Sequence, residues 1–281
     1  MGKIAIVTDS NSGITQAQAE ELGVYVIPMP FYINEKMYLE GVTLTQEEFY
    51  EKLKKDEPIS TSQPSPADLC DLWDKLLRDY EEIVHIPMSS GLSASCSTAM
   101  GLAIDYNGRV QVVDNQRISV TQRQSVMDAK MLAEAGKSAA EITAALEEVR
   151  PKVRASFVVD TLMYLYRGGR CNAVAAMAGS VLKLHPKIVV ENGAMDAAKK
   201  YRGKLHSVVM SYVRDMEANL KNARPERVFI THSGCDRKIV EDVQAYLQRL
   251  GIFQEILETR AGGVVSSHCG PGTLGVLFIA K

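Results

Sequence analysis

The sequence has no excess of charge of either sign. Its 32 Lys and Arg stand against 34 Asp and Glu, a formal net charge of −2. Lacking a Lys/Arg-rich tract, it offers neither the polycationic surface that nucleic acids select nor a basic patch for anionic lipid headgroups. No nucleic-acid partner is therefore expected. No apolar run is long enough to span a bilayer, which excludes an integral membrane protein. The stretch from Met1 to Ser10 has too short an apolar segment for a signal peptide. Gly2 is not followed by a hydroxyl residue at the myristoylation offset. A cytoplasmic protein is expected. The five cysteines (Cys70, Cys96, Cys171, Cys235, Cys269) are scattered and odd in number. Without a Cys-x-x-Cys pair, neither a disulfide framework nor a zinc site is expected, and free thiols are the default. Repeats and low-complexity segments are also missing.

What is present is ordinary globular composition, 46% hydrophobic and 23% charged over 281 residues. That suffices for one large or two medium domains. In the first half, short apolar runs (3–8, 24–29, 83–88, 110–114) alternate with amphipathic stretches (15–22, 45–53, 66–77, 92–106). Strand-helix alternation of this kind predicts a mainly parallel sheet covered on both faces. Residues 119–135 and 139–149 follow as consecutive helices. Beyond Pro151 the texture changes. Apolar runs at 155–160, 187–191, 195–201, 227–231, 253–259 and 274–280 read as strands, and Asn192-Gly193 is a hairpin signal requiring antiparallel pairing. The expected fold is α/β in two domains: a parallel α/β/α unit over 1–153 and a mixed-sheet α/β unit over 154–281.

Between Met88 and Met100 the chain packs five Ser, one Cys and one Thr where a strand gives way to a helix. A helix N-terminus carries unpaired N–H groups and partial positive charge, so hydroxyls added there make a cradle for a carboxylate or phosphate. Simple capping by Ser89 or Ser90 is the plainer alternative. Gly91-Leu-Ser-Ala-Ser95 also approaches the Gly-x-Ser-x-Gly nucleophile elbow, but lacks its final Gly. A hydrolase would draw on Asp160 or Asp196 with His232 or His268. Cys96 has no evident activator as a nucleophile.

Other candidates share this polar, turn-rich character. Asp9-Ser10-Asn11-Ser12 ends the first strand, where open parallel sheets bind ligands, or else caps the helix near Thr15. Ser60–Ser65 is a hydroxyl-rich turn. There Ser65 before Pro66 reads as an N-cap, which leaves Thr61, Ser62 and Gln63 to explain. Tyr166-Arg-Gly-Gly-Arg170 sets two Arg about a Gly pair, fit to grip an anion or to end a helix. Arg202 offers a second cation. Gly262–Gly275, with five Gly and a Pro around His268, reads as a defined loop between two strands. It lacks the Gly-Lys-Ser/Thr ending of a P-loop, so nucleotide binding is not expected.

Taken in order, Thr8-Asp-Ser10, Thr61-Ser-Gln-Pro-Ser65, Ser89-Ser-Gly-Leu-Ser93, Val159-Asp-Thr-Leu162 with Tyr164-Leu165, Gly168-Gly-Arg170 and His268-Cys-Gly-Pro-Gly272 make the chain resemble the DegV family of bacterial lipid-binding proteins. The resemblance runs nearly end to end. It implies a two-domain protein holding one long-chain fatty acid between its domains, with no cofactor and no metal. Members of the FakB type present the acyl chain to a separate ATP-dependent kinase, FakA, which makes acyl phosphate for phospholipid synthesis. They are substrate carriers, not enzymes themselves. Carried over by position, Thr61 and Ser93 donate hydrogen bonds to the carboxylate, with Ser62 and Ser95 beside them. Arg170, Arg202 and His268 lie near the head group or the docking face. Where the family commonly has Gly-Thr-Tyr after this Ser, the chain has Ala94-Ser95-Cys96, so a wider or reshaped acyl pocket is expected. A monomer is the default. The alternatives are a serine hydrolase of acyl esters using Ser93 and a lipid-sensing module with no kinase.

Overall fold

The computed structural model describes residues 3–170 and 184–281. Gly2 and Cys171, on which the lipidation and free-thiol readings bear, lie outside the described residues; the other four cysteines are free. The chain forms two compact units, Met1–Glu48 with Pro58–Pro151, and Phe49–Glu57 with Lys152–Lys281.

The first unit begins with β1 (Ile4–Asp9), α1 (Gln16–Leu22) and β2 (Tyr25–Ile27). Three short strands follow, β3 (Pro30–Ile33), β4 (Lys36–Leu39) and β5 (Ile59–Thr61); between the last two runs α2 (Gln46–Lys54), whose residues from Phe49 on belong to the second unit. Then come α3 (Pro66–Leu76), β6 (Glu82–Ile86), α4 (Ser95–Ala103), β7 (Val110–Val112), α5 (Val120–Glu134) and α6 (Ala139–Val149). The main sheet is parallel throughout, in the order β2-β1-β6-β7. Period-two alternation sorts its residues to two faces. Ile6, Val84 and Ile86 pack with Val126, Ala129, Ile142 and Leu146 from α5 and α6. Ala5, Val7 and Ile83 pack with Leu69, Trp73 and Ala99 from α3 and α4.

Local chemistry fixes the helix ends. Thr15 and Gln18 form a capping box at α1, and Gly23 ends that helix with φ 65°. Ser65 accepts the Asp68 N–H, with Pro66 at the first helical position, as its sequence predicts. Periodicity alone does not reveal the antiparallel sheet β4-β3-β5. Its β3–β4 turn is Asn34-Glu35, both at positive φ. The turn therefore has hairpin geometry without the Gly that would announce it.

In the second unit, β8 (Val153–Val158) leads to α7 (Met163–Gly168), then β9 (Leu184–Glu191) and β10 (Ala194–Arg202). There follow α8 (Leu205–Asp215), α9 (Glu217–Lys221), β11 (Ala223–His232), α10 (Arg237–Leu250), β12 (Glu255–Arg260), α11 (Gly263–Cys269) and β13 (Leu274–Ala280). The sheet order is β10-β9-β8-β13-β11-β12, with only β11 and β12 parallel. The Asn192-Gly193 hairpin joins β9 to β10, with both turn residues at positive φ. The mixed α/β architecture expected from the sequence is therefore what forms. One segment departs from that expectation. The stretch 262–275 contains the helix α11, so it is not simply a loop. Its apolar Val264, Val265 and Cys269 are buried, which offsets the poor helix propensity of the flanking glycines.

Tyr212 organises the core of this unit. Its hydroxyl is fully buried, donates to the Ser156 carbonyl (2.7 Å) and accepts from the Val276 N–H (2.9 Å). It thereby stitches α8 to the centre of the sheet. Removing one partner from such a buried set costs about 1–3 kcal/mol. Tyr212→Phe should accordingly lower the unfolding free energy by that amount, read as a lower urea midpoint at unchanged m-value. An unshifted midpoint would show that the hydroxyl contributes nothing.

Candidate functional site

The hydroxyl-rich stretch lies at the carboxyl end of β6, held from both sides. Asp9, 1% exposed at the end of β1, accepts the N–H of Met88 (2.8 Å), the N–H of Asn11 (3.0 Å) and the Gln122 side-chain amide (3.1 Å). Burial raises its pKa above the ordinary carboxylate value, and these donors work in the opposite sense. On the other side, Asp114 accepts both the N–H (3.2 Å) and the hydroxyl (2.5 Å) of Ser90. The Ser89 N–H donates to the Arg117 carbonyl. A loop anchored in this way presents the start of α4 in a fixed orientation.

The hydroxyls divide by what they bond. Ser89 accepts the Gly91 N–H, Ser90 serves Asp114, and Ser97 donates to the Ala94 carbonyl. The capping alternative fails for Ser89 and Ser90. The cap position is Ala94, which makes no side-chain cap bond, and the helix starts at Ser95 instead of near Leu92. Ser93 and Ser95 face one another at 2.8 Å, and Ser93 also accepts the Ser95 N–H. This pair, at a helix start whose cap residue bears no hydroxyl, is the arrangement suited to an anion.

The turn after β5 comes to the same place. Thr98 donates to the Gln63 side-chain carbonyl (3.1 Å), tying residues 61–65 to α4. Thr61 pairs with Phe31 across the sheet, and Ser62 is exposed, its N–H on the Pro30 carbonyl. Beside it lies a narrow recess whose lining brings the Asp9 carboxylate, Gln63, Ser95 and Thr98 together with Ile27, Leu69 and His85. Gln63 is one of the three residues that capping leaves unexplained in its turn; His85 carries no motif and emerges only from the fold. Ser10, by contrast, is committed to Glu40 and the Met29 N–H, and Asn11 donates to the Met88 sulfur.

The Ser93 hydroxyl is hydrogen-bonded to the Ser95 hydroxyl and N–H, and the Ser93 N–H donates to the Ser89 carbonyl. Burial pushes the Cys96 thiol up to about 12, which keeps it protonated. Of the other hydrolase candidates, His232 bonds Glu258 and the Cys235 N–H, and Asp160 lies 3.6 Å from His185. Among the described residues, no cluster fit to hold a metal is present.

In the second unit, two glycine-containing segments interlock. A Cβ on Gly168 would fall 2.2 Å from the His268 ring, and one on Gly270 would fall 2.3 Å from the Tyr164 ring. Gly169 ends α7 in the left-handed conformation, as a helix stop should. Arg167 forms a two-pronged ion pair with Asp56. Arg170 donates to the Gly168 carbonyl (2.7 Å) and remains exposed. The structure therefore brings Arg170 and His268 together. Arg202 stands at the exposed end of β10, in register with Leu184. The carbonyl oxygen of its neighbour Gly203 lies 3.1 Å from His185 Nε2.

Comparison with known proteins places these features in a wider set. A family model described as an uncharacterised protein of the DegV family matches residues 3–281. A DegV domain-containing protein of Deinococcus radiodurans is 33% identical over 276 residues, covering 97% of each chain. A solved DegV family protein from Thermus thermophilus, described by its fatty acid binding, is 30% identical with a TM-score of 0.90, covering 99% of this chain and all of its own. DegV of Bacillus subtilis, a fatty acid binding protein, is 28% identical with a TM-score of 0.87 over the full length of both.

Burial, and then the nearby Arg170 charge, bring the His268 pKa down to about 4. The unfolded chain takes up a proton near pH 6.5 that the folded chain refuses until about pH 4. This group therefore makes the fold less stable as pH falls through that window, and the loss is absent above it. Arg170→Ala should move the His268 titration midpoint upward in an NMR pH series. An unmoved midpoint would show that the arginine charge does not reach the ring.

Proposed function

The chain belongs to the DegV family, and we propose that it binds a long-chain fatty acid and presents the carboxylate to a separate kinase of the FakA type for acyl phosphate formation. The carrying observation is the Ser93–Ser95 hydroxyl pair at the start of α4, beside a recess lined in part by apolar Ile27, Leu69 and Pro87. Neutral donors suit a carboxylate whose tail is in hydrocarbon surroundings, because no buried countercharge is left behind when the ligand departs. Each buried methylene contributes roughly 0.8 kcal/mol, so the tail supplies gross affinity and the hydroxyls fix orientation.

In this reading Thr61 and Ser93 donate to the carboxylate, with Ser62 and Ser95 at their sides. Arg170, Arg202 and His268 serve the head group or the kinase. The protein acts in the cytoplasm as a monomeric carrier and performs no chemistry of its own. Fatty acid binding by the Thermus and Bacillus relatives supports the ligand class. Among the described residues no helix is long and apolar enough to cross a membrane.

Mass spectrometry of organic extracts from the purified protein should find a stoichiometric free fatty acid. With kinase and ATP present, Ser93→Ala should lower acyl phosphate formation about tenfold or more, since a charge-assisted hydrogen bond contributes about 1.5–3 kcal/mol. Circular dichroism should show the fold retained. Undiminished turnover in that variant would remove Ser93 from the site. An empty protein that also fails to take up added fatty acids would overturn the ligand assignment.

A further inference from the structure

The recess contains a side chain that a purely hydrocarbon ligand cannot explain. His85 lies in the middle of the parallel sheet, on the same side of β6 as Ile83, facing α3 and α4. It is 2% exposed, and neither ring nitrogen has a hydrogen-bond partner. The Trp73 ring meets it edge-on, with centroids 5.5 Å apart and planes at 81°. Trp73 is fully buried too, and its indole N–H also lacks a partner. Three polar atoms on two adjoining rings are thus without partners. Leaving such groups unpaired costs about 1–3 kcal/mol each, whereas Val or Ile would fill a central strand position without that penalty.

We infer that His85 recognises a hydroxyl carried by the acyl chain near its carboxyl end, so that the preferred ligands are hydroxy fatty acids. The inference rests on the fatty-acid reading above and narrows its substrate class. Neutral imidazole has one N–H donor and one bare acceptor nitrogen. A hydroxyl both donates and accepts, so it can satisfy a donor and an acceptor together; a methylene satisfies neither. Burial brings the His85 pKa down to about 3, so the ring is neutral at physiological pH and is no countercharge for the carboxylate. The recess also sets the position of the hydroxyl. His85 shares it with Ser95, Thr98 and Gln63, the residues around the proposed head-group site. The inference therefore places the hydroxyl within the first few carbons of the chain and not at its far end.

The test is competition binding with palmitate, 3-hydroxypalmitate and 16-hydroxypalmitate on the full chain stripped of lipid. One added hydrogen bond of about 1–1.5 kcal/mol predicts that 3-hydroxypalmitate binds about five- to tenfold more tightly than palmitate. The 16-hydroxy acid should gain nothing. In His85→Phe, which retains a ring against Trp73, the ratio of 3-hydroxypalmitate to palmitate affinity should fall to one or below. Equal wild-type affinities for palmitate and 3-hydroxypalmitate would overturn the inference and leave fatty-acid binding intact. A preference that survives in His85→Phe would likewise overturn it. If no acid of the three binds, the fatty-acid reading falls and this inference falls with it. Should the variant not fold, NMR of the wild-type His85 ring decides. Its nitrogen shifts should respond differently to 3-hydroxypalmitate and to palmitate, and identical responses would count against recognition.

Discussion

The buried carboxylate of Asp9 sets the conditions for the rest of the first unit. A carboxylate out of water is tolerable only where N–H groups surround it. Asp9 collects its donors from three places: the residue two ahead of it, the strand exit at Met88, and Gln122 on α5. Gln122 also bonds the Thr8 hydroxyl and the Ile86 carbonyl, while Thr8 itself donates to Ile86. The ends of β1 and β6 are thereby joined through side chains where the backbone ladder stops. The hydroxyl loop starts at this junction, so its course is inherited from a polar knot with little freedom to adjust.

With that anchor in place, the serine-rich stretch is less uniform than its composition suggests. Some of its hydroxyls only build the loop, by closing a turn, bonding Asp114 or backing onto the helix. Ser93 and Ser95 stand apart because they hydrogen-bond to each other, a contact that a ligand can replace at little cost. In the second unit Arg167 is committed to Asp56, and Arg170, three residues later, donates to the Gly168 carbonyl near His268. A residue's availability for ligand chemistry is therefore decided by what its neighbours already consume.

Much of the architecture is legible in the sequence, because periodicity and turn chemistry are local. Val110, Ile83 and Ile6 announce a buried parallel sheet, Asn192-Gly193 a hairpin, and Ser65-Pro66 a helix start. The β3–β5 sheet is harder to read because its turn residues, Asn34 and Glu35, give no glycine signal. The helix at Gly263–Cys269 is hidden for the opposite reason: glycine is abundant, and burial overrides propensity. At the site, the serines and the paired glycines advertise themselves by type and spacing. His85 does not. A lone histidine in an apolar strand gives no sign of whether it will find partners, since that depends on residues far away in the chain, Trp73 among them. The structural use of Asp9 is equally silent, for its donors come from positions 79 and 113 residues distant.

The chain passes between the two compact units three times, because residues 49–57 belong with the later half. Phe49 and Tyr50 in that segment are buried, Phe49 against Gly263 and Tyr50 through bonds to Ala261 and Ser266. The second unit is thus discontinuous in the gene. A fragment ending at Pro151 would carry these two aromatic rings without the residues that cover them. The complementary fragment would lack its own plug. Neither half is a portable module, since a cut at Pro151 leaves each unit without part of its own core.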